Sequence, residues 1–256
     1  MGVVSAALPV LEYRLLSLRR TWRGHIFSSV LLPVLFLAGM GISVGGYVDR
    51  GGALGVPYLD YIAPGLLAST AIQIAVTEAM WPVRGAFFWH RQYHAMRSTP
   101  LRPADIVAGE FWFLTVRVGL PATSFLTVMA FFGTVHSWWA VAAIPAAMLT
   151  GASVTGAIMA YSATVDSDNM FALLFRFVLI PMTLFSGVFF PVSAMPLAAR
   201  WCAYLSPLWH GVELCRAATL GIPTAWPALA HAAYLGGWVV IGFLLARWRF
   251  RVRLSD

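Results

Sequence analysis

The sequence predicts an all-α polytopic membrane protein with six transmembrane helices. Hydrophobic residues make up 60% of the 256 residues and charged residues 11%, which is far more apolar than an ordinary soluble domain. Apolar stretches of about 20 residues, the length that crosses a bilayer, recur six times. Arginines are also distributed unevenly between the connections. Because little sequence remains after the six stretches, we predict a single transmembrane domain over residues 1–256.

The six predicted spans differ in the side chains they carry. The first has no charged residue, the second has one glutamate, and the third is long and holds two charges. The fourth is uncharged and rich in Gly, Ala, Ser and Thr, a pattern that favours close helix packing within the subunit. The fifth is rich in Phe and Met, and the sixth contains a histidine. Their predicted limits are 26–48, 61–83, 106–133, 138–165, 170–190 and 228–246.

Arginine placement predicts the orientation. All 17 basic residues are arginine, and twelve of them lie before the first span, between the second and third, and after the sixth. The other face of the membrane receives Arg50, Arg200 and Arg216. Since short cytoplasmic connections collect positive charge, both termini are predicted to be cytoplasmic. This clustering explains the net charge of +7 without nucleic-acid binding.

Two connections have unusual composition. The segment 1–25 places apolar residues at helical spacing before a group of arginines, which predicts an interfacial helix on the inner leaflet. It is either a plain anchor or an element that transmits motion. The segment 191–227 is too apolar for an ordinary outer loop and is broken by five prolines. We predict that it forms short re-entrant helices that act as a gate or lid.

The loop 84–105 interleaves aromatic and basic residues. A short amphipathic helix here would present an aromatic face to a groove on a partner, with arginines as the polar rim. Pro100 and Pro103 are expected to end that helix. The alternative is a helix lying on the anionic inner leaflet, which also suits aromatic and basic side chains. The predicted coupling residues are Phe88, Trp89, Arg91, Tyr93 and Arg97.

Charges within the spans are the next candidates, because a charge in the bilayer is costly and is usually paired or functional. Glu78, Glu110, Arg117 and Arg176 are all predicted near the inner ends of their spans. Glu110 and Arg117 are seven residues apart and therefore share a helix face. Either the four form an ion-paired cluster that couples the cytoplasmic loop to helix movement, or each one snorkels independently.

The predicted pathway or gate lies in the fifth span and in the outer segment that follows it. The fifth span and its exit are rich in aromatic residues, which either line an apolar pathway or face lipid. Glu213 and Arg216 are three residues apart and are predicted to pair on one helix turn. Cys202 and Cys215 both lie in the segment 191–227. They either form a disulfide or remain two buried thiols. The predicted pathway or gate residues are Phe185, Phe189, Phe190, Trp209 and Glu213.

Several catalytic motifs are absent from the sequence. A chain without lysine has no Gly-x-x-x-x-Gly-Lys-Ser/Thr phosphate loop, so we do not expect it to hydrolyse ATP in that way. No Cys/His spacing suggests zinc or haem, and no metal site is predicted. We therefore predict a permease without catalytic activity.

Several stretches together resemble the ABC-2 type permeases, particularly the nodulation-factor exporter and daunorubicin-resistance branch. They are Gly55-Val-Pro-Tyr-Leu-Asp-Tyr-Ile-Ala-Pro-Gly65, Thr77-Glu78, Arg102-Pro-Ala-Asp-Ile-Val-Ala-Gly-Glu110, Phe185-Ser-Gly-Val-Phe-Phe-Pro-Val-Ser-Ala-Met-Pro196 and Leu205-Ser-Pro-Leu-Trp-His-Gly-Val-Glu213. Each is weak alone, whereas their order and spacing over nearly the whole chain are specific.

The resemblance implies the permease subunit of a bacterial plasma-membrane exporter for an amphipathic drug, lipid or glycolipid. It implies a coupling helix in the loop 84–105 and re-entrant helices between the fifth and sixth spans. It also implies a second permease, identical or homologous, and two separate ATPase subunits. ATP and Mg²⁺ are then expected on those subunits, with no cofactor in this chain and with membrane lipid as its surroundings.

Two other functions compete with this interpretation. Rhomboid-like intramembrane serine proteases have six spans with a serine on the fourth and a histidine on the sixth, where this chain has Ser153 and His231. The sequence Gly151-Ala-Ser-Val lacks the last glycine of their Gly-x-Ser-Gly motif, and the second span has no histidine for an oxyanion. A secondary transporter would show inverted repeats and midplane ion-binding groups, whereas the only deep charge here is Arg117.

Overall fold

The computed structural model describes residues 8–16, 31, 34–51, 55–165 and 167–255. Within these residues every regular element is helical and there is no strand, which confirms the all-α class. Four of the described helices are long and apolar enough to cross a membrane. The chain is therefore a polytopic membrane protein, and the count of six spans stays a prediction.

The helices are numbered here in chain order. Those long enough to span are α3, α5, α6 and α10, while α2 and α7 are shorter apolar helices at the predicted first and fifth spans. The bounds are α1 at 8–16, α2 at Val34–Asp49, α3 at Tyr58–Phe88, α4 at Gln92–Arg97, α5 at Pro103–Phe131, α6 at Trp138–Ser162, α7 at Asn169–Phe185, α8 at Leu197–Leu205, α9 at Pro207–Leu220 and α10 at Ala228–Arg253.

Helix ends differ from the predicted limits where a polar residue lies inside a helix. The predicted loop began at Arg84, but α3 continues to Phe88 because the Arg84 side chain is buried rather than turned to water. The fifth predicted span reached residue 190, but α7 ends at Phe185, since Gly187 at φ +75° turns the chain. The edge of an apolar run therefore marked the hydrophobic layer rather than the end of the helix.

The core is built around α3 and α6. The most apolar stretch of α3 is 72% buried and that of α10 only 17%, so α3 is central and α10 exposes most of its surface. Gly156 of α6 meets Gly242 of α10 so closely that a Cβ built on Gly156 would lie 2.3 Å from the Gly242 carbonyl carbon. Small residues thus permit this crossing, which confirms their predicted packing role within the subunit.

The bundle has two chemically distinct ends. At the end that we call the arginine-rich end, α1, α4 and the start of α5 meet the ends of α3 and α10. At the opposite end, His136 contacts Asp60 at 2.7 Å, and its backbone N–H donates to the carbonyl of Thr219 at 2.8 Å. The start of α3, the exit of α5 and the end of α9 therefore meet there.

Candidate functional site

The segment 191–227 is folded into short helices rather than an extended loop. A 3₁₀ turn at Val192–Ala194 precedes α8 and α9. Pro207 opens α9, where the Ser206 hydroxyl accepts a hydrogen bond from the backbone N–H of Leu208 at 3.2 Å. One side of α9 is buried in the bundle, including Leu208 and Val212. The segment is thus attached to the transmembrane helices, as a gate or lid requires.

A polar contact joins this segment to α3 at the carbonyl of Gly187. The Arg216 guanidinium donates to that carbonyl at 2.9 Å, and the Tyr61 hydroxyl donates to it at 3.2 Å. The guanidinium carbon also lies 4.0 Å from the centre of the Tyr61 ring. A Cβ on Gly65, one turn further along α3, would lie 3.0 Å from Val188 Cα, so the chain passes tightly here.

Glu213 is held in place from two sides. The Arg216 guanidinium donates to its carboxylate at 3.1 Å, which confirms the predicted pair, and the backbone N–H of Ala225 donates to its second oxygen at 3.2 Å. Glu213 and Arg216 thereby fix α9 to the loop that enters α10. Cys202 and Cys215 are free thiols in this structure, the first exposed and the second buried.

A histidine and aromatic cluster lies beside these residues. Nδ1 of His210 is 2.9 Å from Nδ1 of His231 on α10, and the His210 ring stacks on Tyr234 with centroids 3.9 Å apart. Trp209 and Trp226 complete the cluster. Burial lowers the pKa of His210 to about 4. The sequence does not single out His210, because only packing brings it to His231, 21 residues away.

The predicted pathway residues divide between the surface and this cluster. Phe185 and Phe190 are 45% and 40% exposed. Phe189 is half-buried, with its ring 6.4 Å from that of Phe36 on α2. Trp209 is only 3% exposed, inside the histidine cluster. The phenylalanines therefore border the surface of the bundle, whereas Trp209 anchors α9 inside it.

The charges predicted to form one cluster form two separate pairs. The Arg117 guanidinium on α5 lies 2.6 Å from the Glu78 carboxylate on α3, and Arg14 lies 2.7 Å from Glu110. Arg176 is exposed on α7, and no ion pair to it occurs among the described residues. The single four-membered cluster is thus wrong, because its members face different neighbours around their helix axes.

Arg14 on α1 joins three elements at the arginine-rich end. Its Nε donates to both Glu110 oxygens of α5, at 2.7 and 3.0 Å, and its terminal nitrogen lies 3.4 Å from the Tyr93 hydroxyl of α4. Although burial opposes the charge, Glu110 and Tyr93 raise the pKa of Arg14 further above its ordinary value. In the sequence Arg14 is only one of the arginines before the first span. Its role is not evident there because its partner Glu110 lies 96 residues away.

The coupling residues of the predicted loop occupy different environments. Trp89 is 57% exposed, Arg91 and Arg97 are exposed, and Phe88 is half-buried. Tyr93 is fully buried, with its ring 5.3 Å from that of Phe250 on α10. Tyr93 therefore does not belong to an outward aromatic face, since α4 turns it into the core.

The protease alternative has no supporting geometry. The Ser153 hydroxyl donates to the backbone carbonyl of Thr150 at 2.6 Å, while His231 pairs with His210. Each residue thus has a partner outside a catalytic dyad. Within the described part of the chain, no group of three or more His, Cys, Asp or Glu residues is placed to hold a metal ion.

Comparison with known proteins identifies the family. The sequence profile described as ABC-2 type transporter matches residues 10–220, which include the Arg14, Glu110, Tyr61 and Arg216 contacts. The chain belongs to the ABC-2 type transporter family. This assignment confirms the resemblance and makes the chain a transport permease embedded in a membrane.

Curated members of the ABC-2 type family align over most of their length. Nodulation protein J of Rhizobium leguminosarum bv. viciae is 31% identical over 91% of this chain and 90% of its own. Nodulation protein J of Rhizobium meliloti (strain 1021) is 27% identical over 97% of both chains. The inner membrane transport permease YadH of Escherichia coli (strain K12) is 26% identical over 79% of this chain and 78% of its own.

The polar contact at Gly187 is formed by the stretches of sequence that resemble the ABC-2 family. Three of the stretches that carry the resemblance meet there: the one leading into α3 supplies Tyr61, the one after α7 supplies Gly187, and the one in α9 supplies Glu213. Arg216 follows the third stretch by three residues. Segments separated in sequence thus converge on one junction between α9 and α3.

Proposed function

We propose that this chain is the permease subunit of an ATP-binding-cassette exporter that moves an amphipathic drug, lipid or glycolipid out of the cytoplasm or inner leaflet. Two separate ATPase subunits, which hold ATP and Mg²⁺, power it. A second permease, identical or homologous, completes the transporter in a bacterial plasma membrane. Both termini are cytoplasmic, which places the arginine-rich end inside. Family membership supports the role of transport permease. The substrate class, the ATPase subunits, the second permease and the orientation are part of our proposal.

One observation carries the ATPase partnership: an exposed surface at the arginine-rich end is built on a buried junction. Trp89 lies just before α4 and Arg97 is its last residue; both are exposed, whereas Tyr93 between them is fully buried. Through Tyr93, α4 contacts Arg14 of α1 and Phe250 of α10. A partner that moves the exposed surface would therefore move α1 and α10 with it, because packed side chains transmit displacement.

The opposite end suits the substrate's exit. Phe185 and Phe190 offer exposed apolar surface beside the lid, which fits a substrate with an apolar part. Trp209 and Glu213 hold the lid through the histidine cluster and the Arg216 pair. We expect opening to require breakage of the Arg216 hydrogen bond to the Gly187 carbonyl, since that bond closes the lid against the turn after α7.

The ATPase partnership is tested by co-purification of the permease with its separate ATPase subunit. We expect Trp89→Ala combined with Arg97→Ala to lose most of the bound ATPase and the transport that depends on it. Trp248→Ala combined with Arg251→Ala is the matched control, because it removes another exposed tryptophan and arginine at the same end, on α10. Equal ATPase recovery from both variants and the unmodified chain would contradict the proposed docking surface.

A further inference from the structure

A cavity at the arginine-rich end lies outside the contacts used above. It has a volume of about 430 Å³, and the described residues that line it are Phe87, Phe88, Arg91, His94 and Arg253. Small-molecule sites in proteins span roughly 300–1,000 Å³. The cavity is thus large enough for a ligand group.

The height of this cavity along the bundle follows from the length of α10. That helix runs for 26 residues, Ala228–Arg253, or about 39 Å at 1.5 Å per residue. The hydrocarbon core of a bilayer is about 30 Å thick and the headgroup layer adds about 5–8 Å on each side. If α10 enters the core at its first residue, Arg253 lies about 9 Å beyond the far edge, or about 7 Å with an ordinary tilt of about 20°.

Exposed tryptophans support the same height. Trp89 is 57% exposed just after α3, and Trp248 is 54% exposed on α10, five residues before Arg253. Tryptophan concentrates at the headgroup level, where its ring is partly solvated. The length of α10 and the two exposed tryptophans are those expected of a cavity mouth in the headgroup layer, where the lipid phosphates are.

The lining has the chemistry of an anion site with an apolar floor. Arg91 and Arg253 supply two permanent positive charges, His94 supplies a ring N–H donor, and none of the five lining residues is acidic. The Arg253 guanidinium carbon lies 4.8 Å from the centre of the Phe88 ring, so this ring orients the arginine at the cavity wall. Guanidinium groups bind phosphate with paired N–H donors.

The backbone at Arg91 adds a second feature. Its φ of +48° makes it the one residue other than glycine, among those the structure describes, with a left-handed backbone. That conformation costs an ordinary side chain roughly 1–2 kcal/mol. Glycine or asparagine would suit the turn better, so the arginine at the cavity wall is accompanied by backbone strain.

We propose that this cavity binds the phosphate of an anionic phospholipid from the cytoplasmic leaflet, with Arg91, His94 and Arg253 around the phosphate and Phe87 and Phe88 against the glycerol and acyl portion. Basic pockets between transmembrane helices on the cytoplasmic side are a known type of lipid headgroup site. A partner carboxylate would match the charges but not the apolar floor or the depth. The site requires no ATPase subunit, so its test is independent of the proposed docking surface.

The test titrates dioleoylphosphatidylglycerol into the purified full-length permease in a neutral detergent and follows the melting temperature, with dioleoylphosphatidylcholine and inorganic phosphate in parallel. The test variant combines Arg91→Asn, which tolerates the left-handed backbone, with Arg253→Gln. The matched control Arg251→Gln removes one exposed arginine from the same helix end. A single Arg253→Gln variant keeps the test usable if the double variant is unstable.

We expect phosphatidylglycerol to raise the melting temperature at concentrations where phosphatidylcholine does not. Each lost arginine should weaken the apparent affinity about fivefold, so the double variant should lose about 25-fold, while Arg251→Gln stays close to the unmodified chain. Equal weakening by Arg251→Gln and Arg253→Gln would overturn the site, since it would show only general surface attraction. Equal stabilisation by inorganic phosphate alone would overturn the lipid as its source. Unchanged lipid response with loss of ATPase binding would assign the cavity to the ATPase interface instead.

Discussion

Replacing Arg14 with glutamine should destabilise the permease strongly, because it leaves the Glu110 carboxylate buried without its cation. Glu110 is 1% exposed, and Arg14 supplies both of its short contacts, at 2.7 and 3.0 Å. Removal of one partner from a buried ion pair costs about 3–5 kcal/mol. A chain of this size changes its melting temperature by about 2–4 °C per kcal/mol. We therefore expect a decrease of about 6–20 °C.

The assay is thermal unfolding of the purified protein in one detergent, for the unmodified chain, Arg14→Gln, Glu110→Gln and the double variant. The double variant should recover more than half of the loss, since it removes the uncompensated charge as well as the pair. Arg247→Gln, a change at an exposed arginine, is the matched control and should shift the melting temperature by no more than about 2 °C. Salt should not abolish the difference, because buried pairs are weakly screened.

Two results would refute this reasoning. A decrease for Arg14→Gln no larger than that for Arg247→Gln would show that the Glu110 carboxylate is hydrated or otherwise neutralised. A double variant less stable than either single variant would show that the side chains contribute mainly by packing rather than through their charges. Protease sensitivity of α1, measured on the same samples, should rise in Arg14→Gln, because Arg14 attaches α1 to α4 and α5.

Two further predictions concern the helix crossing and the lid. Gly156→Ala should lower stability by about 1–3 kcal/mol or more, since its Cβ would lie 2.3 Å from the Gly242 carbonyl carbon. Gly237→Ala is the control and should not lower stability, because its Cβ would have no heavy atom within 4 Å. Equal melting temperatures for the two variants would contradict the close crossing. Because His210 has a pKa of about 4 when folded and 6.5 when unfolded, the unfolded chain binds more protons between these values. Stability should therefore fall from pH 7.5 to pH 5, by at most about 2 kcal/mol. His210→Asn should reduce that fall, whereas His94→Gln, at an exposed histidine, should not. The same pH slope in all three proteins would exclude His210 as the source.

The fold was largely predictable, because lipid allows little choice. A span must be about 20 apolar residues long and helical, so composition and periodicity identify the hydrophobic layer. The helices α3, α5, α6 and α10 each overlap a predicted span. Their ends were predicted less well, since buried Arg84 and the arginines at the end of α10 continue their helices past the apolar run.

The candidate site was less predictable, because hydropathy reports depth in the membrane but not rotation about the helix axis. Glu78, Glu110 and Arg117 were all placed toward the inner ends of their spans, yet partner choice depends on which neighbour each faces. Glu110 and Arg117 lie about 10 Å apart along α5 at 1.5 Å per residue, too far for both to share one partner. Each instead pairs with a different element, Glu110 with α1 and Arg117 with α3. One sequence therefore identified these side chains as candidates, whereas the two pairings required the packed arrangement of three helices.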